Sequence, residues 1–417
     1  MNQRIRPHNR FEGEITIPAS KSHAQRVLAC ALLSKESTSI HGLGNSDDEL
    51  AALGLLQCST LKPHRNGNTI LVPEGDKLNF SSTDLSFGES GLSSRMFTPI
   101  LANAGQKLSL HGKGSLTTRP MKLFDDVFSE LNVSFSSNSG RLPFSILGPL
   151  IPKDIALDGS LSSQFVTGFI YAYAGSGSTR SETIKIMNPA SIPYIELSLD
   201  VLRDFGVSIE FSGDEVHFNG PYHFQRTEIT IEGDWSSASF LLVGAALFGS
   251  IRVNGLKKES KQADVRLISA LEDFGATVIW EADTLSVTKN EFNSFQFDAT
   301  HCPDLFPPLA VLGSFGRGIS RIYGVHRLFS KESNRAVTIV EELAKLGGNI
   351  EIENDTMVIH PRKGMLMNSV SSRLDHRIAM ACAIFALGLS SEVSISDADA
   401  VRKSFPEFYA YLDKLTV

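Results

Sequence analysis

A short polar turn, an apolar run of helical length and then, usually, a glycine recur six times along this 417-residue chain. The copies read "SKSHAQRVLACALLSKES", "ESGLSSRMFTPILANAG", "SLSSQFVTGFIYAYAG", "DWSSASFLLVGAALFG", "CPDLFPPLAVLGSFG" and "LDHRIAMACAIFALG". Their starts, near Ser20, Glu89, Ser160, Asp234, Cys302 and Leu374, lie roughly 70 residues apart, and such a period marks a chain assembled from repeated supersecondary units. In the first copy Ala24, Val27, Leu28, Ala31 and Leu32 form a helical stripe. Ser22 with Gln25 fits a capping box at its start.

Six amphipathic segments alternate with these runs: "SDDELAALGLL", "RPMKLFDDVFSELN", "IPYIELSLDVLRDFG", "ADVRLISALEDFG", "KESNRAVTIVEELAKLGG" and "SFPEFYAYLDKL". Several are followed by alternating pairs with a polar turn, such as "VSIEFSGDEVHFNG" and "GNIEIENDTMVIHP", which predict hairpins. Each unit therefore reads βαβαββ. Six of them in 417 residues predict an α/β protein of two domains with three units each.

Composition narrows the class. Hydrophobic residues at 42% and charged residues at 20% describe an ordinary soluble globular protein. A net charge of −7 argues against a general nucleic-acid binder, so any cationic site must be local. The longest apolar runs, "FLLVGAALFG" and "IAMACAIFALGL", are too short for a membrane span. The start "MNQRIRPHNRFEGEITI" lacks the apolar core of a signal peptide. Cys30, Cys58, Cys302 and Cys382 form no CxxC pair and read as reduced thiols. The expectation is a cytoplasmic protein with no nucleic-acid or membrane partner.

Against this acidic background, cations gather where helices should begin. Lys21, Arg26, Arg95 and Arg377 lie at the starts of apolar runs; Arg119, Lys331, Arg335 and Lys403 lie at the starts of amphipathic ones. Ser20, Ser22, Ser93, Ser94, Thr118, Ser330 and Ser404 accompany them. A helix N-terminus offers free N–H groups to an anion, and a cation there is unfavourable by about 0.3–1 kcal/mol unless an anion is present. Ser162, Ser163 and Gln164 in "SLSSQF" and Ser191 in "NPASIPY" add neutral donors. Asp304 in "HCPDLF" and Glu332 beside Lys331 are candidates for proton transfer, Glu332 with a pKa open to shift by that neighbour. Asp375 reads as an N-cap, and Asp47 and Asp48 as structural first-turn acids.

Other chemistries are missing from the pattern. No GxxxxGK[ST] loop, HExxH, Cys/His cluster or GxSxG elbow occurs. Catalysis without metal, cofactor or covalent nucleophile, on a pair of anionic substrates, is what remains.

These residues resemble the EPSP synthase family along nearly the whole chain. "SKSHAQR", "GESGLSSR", "TTRPM", "SSQF", "SIPYIE", "EGDWSSASF", "PDLFPPLA", "SKESNRA", "DHRIAM" and "KSFPEF" follow in family order. The resemblance implies an inside-out α/β barrel of two domains, each of three βαβαββ units. Residues 1–20 plus 234–417 would form a discontinuous domain and 21–233 an inserted one, with the active site in the cleft between them. The implied reaction joins shikimate 3-phosphate and phosphoenolpyruvate through a tetrahedral intermediate and releases phosphate, in a monomer without cofactor or metal.

By the same resemblance, Lys21, Ser22, Arg26, Ser162, Ser163, Gln164, Ser191, Asp304 and Lys331 hold shikimate 3-phosphate. Lys21, Gly91, Arg119, Gln164, Arg335, Arg377 and Lys403 hold phosphoenolpyruvate. Asp304 takes the proton of the attacking 5-hydroxyl, Glu332 protonates the methylene carbon, and Lys21 assists the leaving phosphate. Two departures stand out. The family's common "NAGT" loop reads "ESGL", so Glu89 must point away from the ligand or pair with Arg95, and the expectation is an altered affinity for phosphoenolpyruvate and for glyphosate. Arg327 stands four residues before Lys331, where many members have asparagine. The sister transferase acting on UDP-N-acetylglucosamine carries a cysteine before its RP pair; "HGKGSLTTRP" has none. A non-catalytic homologue that only binds the two anions is the other reading.

Overall fold

The computed structural model describes residues 1–8, 10–329 and 331–416. The chain forms two compact units, Met1–Pro18 with Gly233–Val417 and Ala19–Glu232. Ser330 lies outside the described residues.

Three four-stranded sheets make up Ala19–Glu232. Their strand orders are Glu228–Thr230, Thr38–His41, Thr69–Val72, His64–Asn66; Asp84–Ser86, Leu108–His111, Phe144–Leu147, Ser134–Ser136; and Ile155–Asp158, Ser181–Met187, Glu215–Asn219, Glu210–Ser212. In each the first two strands are parallel and the remaining pairs antiparallel. Parallel neighbours need a crossover. Helices Gly91–Leu101 and Ser163–Gly175 supply it in two sheets. In the third sheet, Lys21–Leu33 precedes Thr38–His41, whose parallel partner arrives from the far end of the unit.

The sequence explains where these helices go. Every residue of Gly91–Leu101 is buried, as is most of Lys21–Leu33 and Ser163–Gly175, and a helix apolar on all sides must be core. Gly168 lets two of them meet closely: a Cβ there would lie 2.6 Å from the Arg95 carbonyl oxygen. Strand Ile155–Asp158 alternates buried and exposed residues, laying one face on the core. Phe124, Phe128, Phe135, Phe144, Phe165 and Phe169 interlock beneath, with ring centroids 5.0–6.2 Å apart. Each fully buried ring of this set contributes about 1.5–3 kcal/mol, and the half-buried Phe135 less.

The other unit repeats these strand directions. Its sheets run Phe11–Thr16, Gly249–Asn254, Thr284–Thr288, Thr277–Glu281, and Gln296–Asp298, Ser320–Tyr323, Thr356–His360, Asn349–Glu353. A third holds Ser369–Ser371, Val393–Ser396 and Gln3–Ile5. The buried helices here are Trp235–Phe248, Phe306–Ser314 and His376–Leu387. Among the described residues no helix is long and apolar enough to cross a membrane.

Several helix starts differ from the sequence expectation. Ser20, not Ser22, caps the first helix, its Oγ accepting the His23 N–H at 3.3 Å. "RPMKLFDDVFSELN" yields only the short helix Leu123–Phe128, so Arg119 is no first-turn residue; it ends the 3-10 turn Gly114–Thr118. Asn334 caps Arg335–Lys345, which leaves Lys331 four residues outside it. Lys403 ends the 3-10 segment Ala398–Lys403 ahead of helix Phe408–Leu415. Arg26 and Arg95 sit beyond the first turn of their helices. Of the eight cations, Lys21, Arg335 and Arg377 alone stand in the first turn of an α-helix.

Candidate active site

In Ala19–Glu232 the polar side chains fall into three groups. Lys21 opens its helix, where the dipole disfavours a cation, and Asp48 answers it: Lys21 Nζ lies 3.0 Å from Asp48 Oδ2. Asp48 is therefore an ion-pair partner and not merely the first-turn acid that its position suggests. Its buried face gives the reason, since Asp48 shares that face of Asp47–Gln57 with Ala52 and Leu55.

Arg26 forms the second group. It is 1% exposed, and its guanidinium donates to Ser198 Oγ at 2.9 Å, the Ser22 carbonyl at 2.8 Å and the Tyr194 carbonyl at 3.2 Å. All three acceptors are neutral. Burial draws its pKa below the ordinary value, with Tyr171 and Tyr194 opposing. Ser191, with φ 54°, turns the chain into helix Ile192–Asp204, which carries Tyr194 and Ser198. Thr167 joins Ser198 at 2.9 Å from the helix that Ser162 caps and Ser163 opens.

The third group surrounds Gly91. A Cβ at that position would lie 2.6 Å from Arg119 Nη1, so glycine is what admits the guanidinium against the start of helix Gly91–Leu101. Arg95 Nη1, on the same helix, donates to Gln164 Oε1 at 2.9 Å. Gln164 is thereby oriented with its amide nitrogen turned away from Arg95. Glu89 folds its carboxylate over Gly114, 2.4 Å from where a Cβ would stand. Gln25 Oε1 accepts from Ser90 Oγ and Ser93 Oγ at 3.3 and 2.8 Å and ties the first helix to this one.

The other unit holds a denser cluster. Arg335 is the first residue of its helix, and helical side chains lean toward the N-terminus, so its guanidinium projects past the helix end. There it meets three carboxylates: Asp304 Oδ1 at 2.7 Å, Glu332 Oε2 at 2.6 Å and Asp375 Oδ2 at 2.8 Å. Asp304 rides on the 3-10 turn Pro303–Leu305. Its second oxygen accepts from Arg377 Nη2 at 3.1 Å, and Lys331 Nζ lies 3.7 Å from the first. Lys403 is 7% exposed, with Nζ 3.8 Å from Glu332 Oε1, beyond hydrogen-bond distance.

Charge sets the protonation states. Burial alone would raise the Asp304 pKa, but Arg377, Lys331 and Arg335 outweigh it and hold the carboxyl well below its usual range. Burial lowers Lys331 to about 8, against the pull of Asp304. Arg335 and Arg377 stay protonated, because their carboxylate neighbours outweigh burial. Arg327, on the 3-10 turn Val325–Leu328, is buried and acts on Asp304 through its charge, while burial lowers its own pKa.

Asp375 does cap its helix, accepting the Arg377 N–H at 3.0 Å, but it also grips Arg335 and accepts from Ser333 Oγ at 3.0 Å. Asp48, Asp375, Ser198 and Tyr194 are members of these groups that sequence reasoning did not select. The available signal was an acid on a buried helix face or beside a cationic pair. Among the described residues no group of three or more His, Cys, Asp or Glu is placed to hold a metal ion.

Buried ion clusters are rarely the most stable filling for a core, and apolar replacements often do as well. Keeping this many charges together is a costly arrangement unless a ligand uses it. Residues 5–412 match the family model for EPSP synthase (3-phosphoshikimate 1-carboxyvinyltransferase). A 3-phosphoshikimate 1-carboxyvinyltransferase of Clostridium kluyveri is 31% identical over 96% of this chain and 94% of its own length. One from Pyrococcus abyssi is 33% identical over 97% and 95%. The solved EPSP synthase of Acinetobacter baumannii superposes with a TM-score of 0.83 at 22% identity, covering all of this chain and 98% of that one. The enolpyruvyl transferase NikO of Streptomyces tendae, at 17% identity, has a TM-score of 0.77 over 99% and 96%. Both likenesses are of the mixed α/β fold.

Proposed function

The chain belongs to the EPSP synthase family and transfers the enolpyruvyl group of phosphoenolpyruvate to shikimate 3-phosphate, releasing phosphate; from that premise we propose which side chains carry the reaction. The observation that carries the assignment is the Arg335 cluster, where Asp304 and Glu332 lie among Lys331, Arg377 and Lys403.

Asp304 is the base for the 5-hydroxyl and Glu332 the acid for the methylene carbon. As the hydroxyl oxygen bonds to C2 of phosphoenolpyruvate, its proton passes to Asp304 and a proton from Glu332 enters at C3. The tetrahedral adduct then loses phosphate, with Lys21 beside the leaving group, and gives a C3 proton back. Two such groups each supply about 10²–10⁴-fold. Held by Arg335 and Arg377, Asp304 is a weak base. An incoming phosphate or carboxylate competes for those guanidiniums in the bidentate manner they favour, and as they turn toward it Asp304 gains basicity.

Arg119, Arg335, Arg377, Lys403, Lys21, Gly91 and Gln164 take phosphoenolpyruvate. Lys21, Ser22, Arg26, Ser162, Ser163, Gln164, Ser191, Asp304 and Lys331 take shikimate 3-phosphate. Arg26 supports this reading, as a buried cation whose three recorded acceptors are all neutral suits an anionic ligand. Glu89, folded over Gly114, fits a carboxylate kept off the ligand. The strand order shared by the five four-stranded sheets supports the reading of six βαβαββ units in an inside-out barrel. A cytoplasmic monomer is part of the same proposal.

Phosphate release from purified protein tests the roles. Release requires both substrates, and Asp304→Ala lowers kcat by about 10²–10⁴-fold while shikimate 3-phosphate still binds. Release undiminished in that variant removes Asp304 as the base.

A further inference from the structure

Asp264 is a buried carboxylate that none of the steps above uses. It sits on the 3-10 turn Ala263–Arg266, 1% exposed, and its Oδ2 accepts the hydroxyl proton of Ser236. Ser236 stands in the first turn of helix Trp235–Phe248. Its Oγ accepts in turn from Arg377 Nη2 at 2.9 Å, and the same nitrogen donates to Asp304 Oδ2 at 3.1 Å. A serine hydroxyl has one proton to give. With that proton committed to Asp264, Ser236 must present a lone pair to Arg377.

We propose that Asp264 is a positioning residue for the enolpyruvyl transfer: through Ser236 it fixes where Arg377 Nη2 lies, and so how Arg377 meets the anionic group of phosphoenolpyruvate. The proposal rests on the reading of Arg377 as a ligand of that substrate. Asp264 touches neither substrate in this scheme; it acts through the serine.

The surroundings agree with an acceptor-only role. Asp304, Arg377, Asp234 and Cys302 are titratable groups that interact with Asp264. Burial and then Asp304 push its pKa up to about 6, with Arg377 and the Ser236 hydroxyl opposing. It is thus still ionised near neutrality, and an ionised carboxylate only accepts. If the proton of Ser236 were free to rotate, it could point at the Arg377 guanidinium and drive it off its present line.

Steady-state kinetics of the full-length enzyme separate this from a structural role. Ser236→Ala and Asp264→Ala each raise the KM for phosphoenolpyruvate about tenfold, the size expected for one hydrogen bond to a charged group. The KM for shikimate 3-phosphate stays within about twofold in both. The double variant is no worse than the worse single one, because both remove the same link. Asp264→Asn, whose amide oxygen can still accept the serine proton, recovers most of the loss.

Should Asp264→Ala fail to fold, Ser236→Ala carries the test alone. A folded Ser236→Ala with unchanged KM for phosphoenolpyruvate overturns the proposal. So does a parallel rise in both KM values, or additivity in the double variant. Arg377→Ala keeps the two readings distinguishable. If it leaves the phosphoenolpyruvate KM unchanged, the assignment of Arg377 is at fault; if it raises KM while Ser236→Ala does not, only the role of Asp264 falls.

Discussion

Arg335 shows at one residue how far this site is from a stability-optimised core. It is fully buried against three carboxylates, and removing one member of such a group strands the others. Arg335→Met should therefore lose about 3–5 kcal/mol at neutral pH, read as a fall in Tm. The pH dependence carries a sign. In the wild type Asp304 is held below its ordinary pKa, so its pairing stabilises the fold above the unfolded carboxylate range and is lost as pH falls. Without Arg335 that depression is smaller, since Arg377, Lys331 and Arg327 are the cations left to act on Asp304. The stability gap between variant and wild type should hold from about pH 7 to about pH 4 and narrow below it, where Asp304 of the variant protonates first. A gap that stays constant would mean that Arg335 stabilises by packing and not by charge.

At the scale of elements, the start of helix Gly91–Leu101 shows what a helix end is used for. The Cβ of Gly91→Ala would press on Arg119 Nη1, the far end of a flexible side chain that can move aside. Stability should change by less than about 1 kcal/mol. The KM for phosphoenolpyruvate should rise about tenfold, since a displaced guanidinium is a misaligned one. A variant with normal KM would show that Arg119 does not need its place against Gly91. The apolar runs and hairpins were readable because their periods differ, 3.6 against 2. Helix starts were less so. Pro120 suggests a first turn, yet the helix waits until Leu123, and Asn334 caps a helix that starts at Arg335 and not at Lys331. Lys21, Arg335 and Arg377 could be read from their unfavourable first-turn placement, whereas the other five cations stand outside a first turn. Asp48 and Asp375, the partners of Lys21 and Arg335, could not, because a first-turn or N-cap acid looks the same whether it serves the helix end or a distant cation.

At the scale of the whole molecule, an acidic chain of net charge −7 carries the cations proposed for its site in two sets, one in each unit. Lys21, Arg26 and Arg119 belong to Ala19–Glu232; Lys331, Arg335, Arg377 and Lys403 belong to the other unit. Ala19–Glu232 has its own core and fastens its own ends. Thr38–His41 pairs with Glu228–Thr230, the Ser20 N–H donates to the Glu232 carbonyl at 2.7 Å, and the Glu232 N–H donates to His23 Nδ1 at 3.2 Å. A fragment of residues 19–232 should therefore unfold in a single cooperative transition. It should bind shikimate 3-phosphate in calorimetry about 10²-fold more weakly than the full chain, having lost Lys331 and Asp304, and Arg26→Met should abolish that binding. It should release no phosphate, because Asp304 and Glu332 lie outside it. A fragment without a cooperative transition would show that the unit depends on the rest of the chain to fold. A folded fragment that binds equally well with Arg26→Met would remove the buried guanidinium from the anion site.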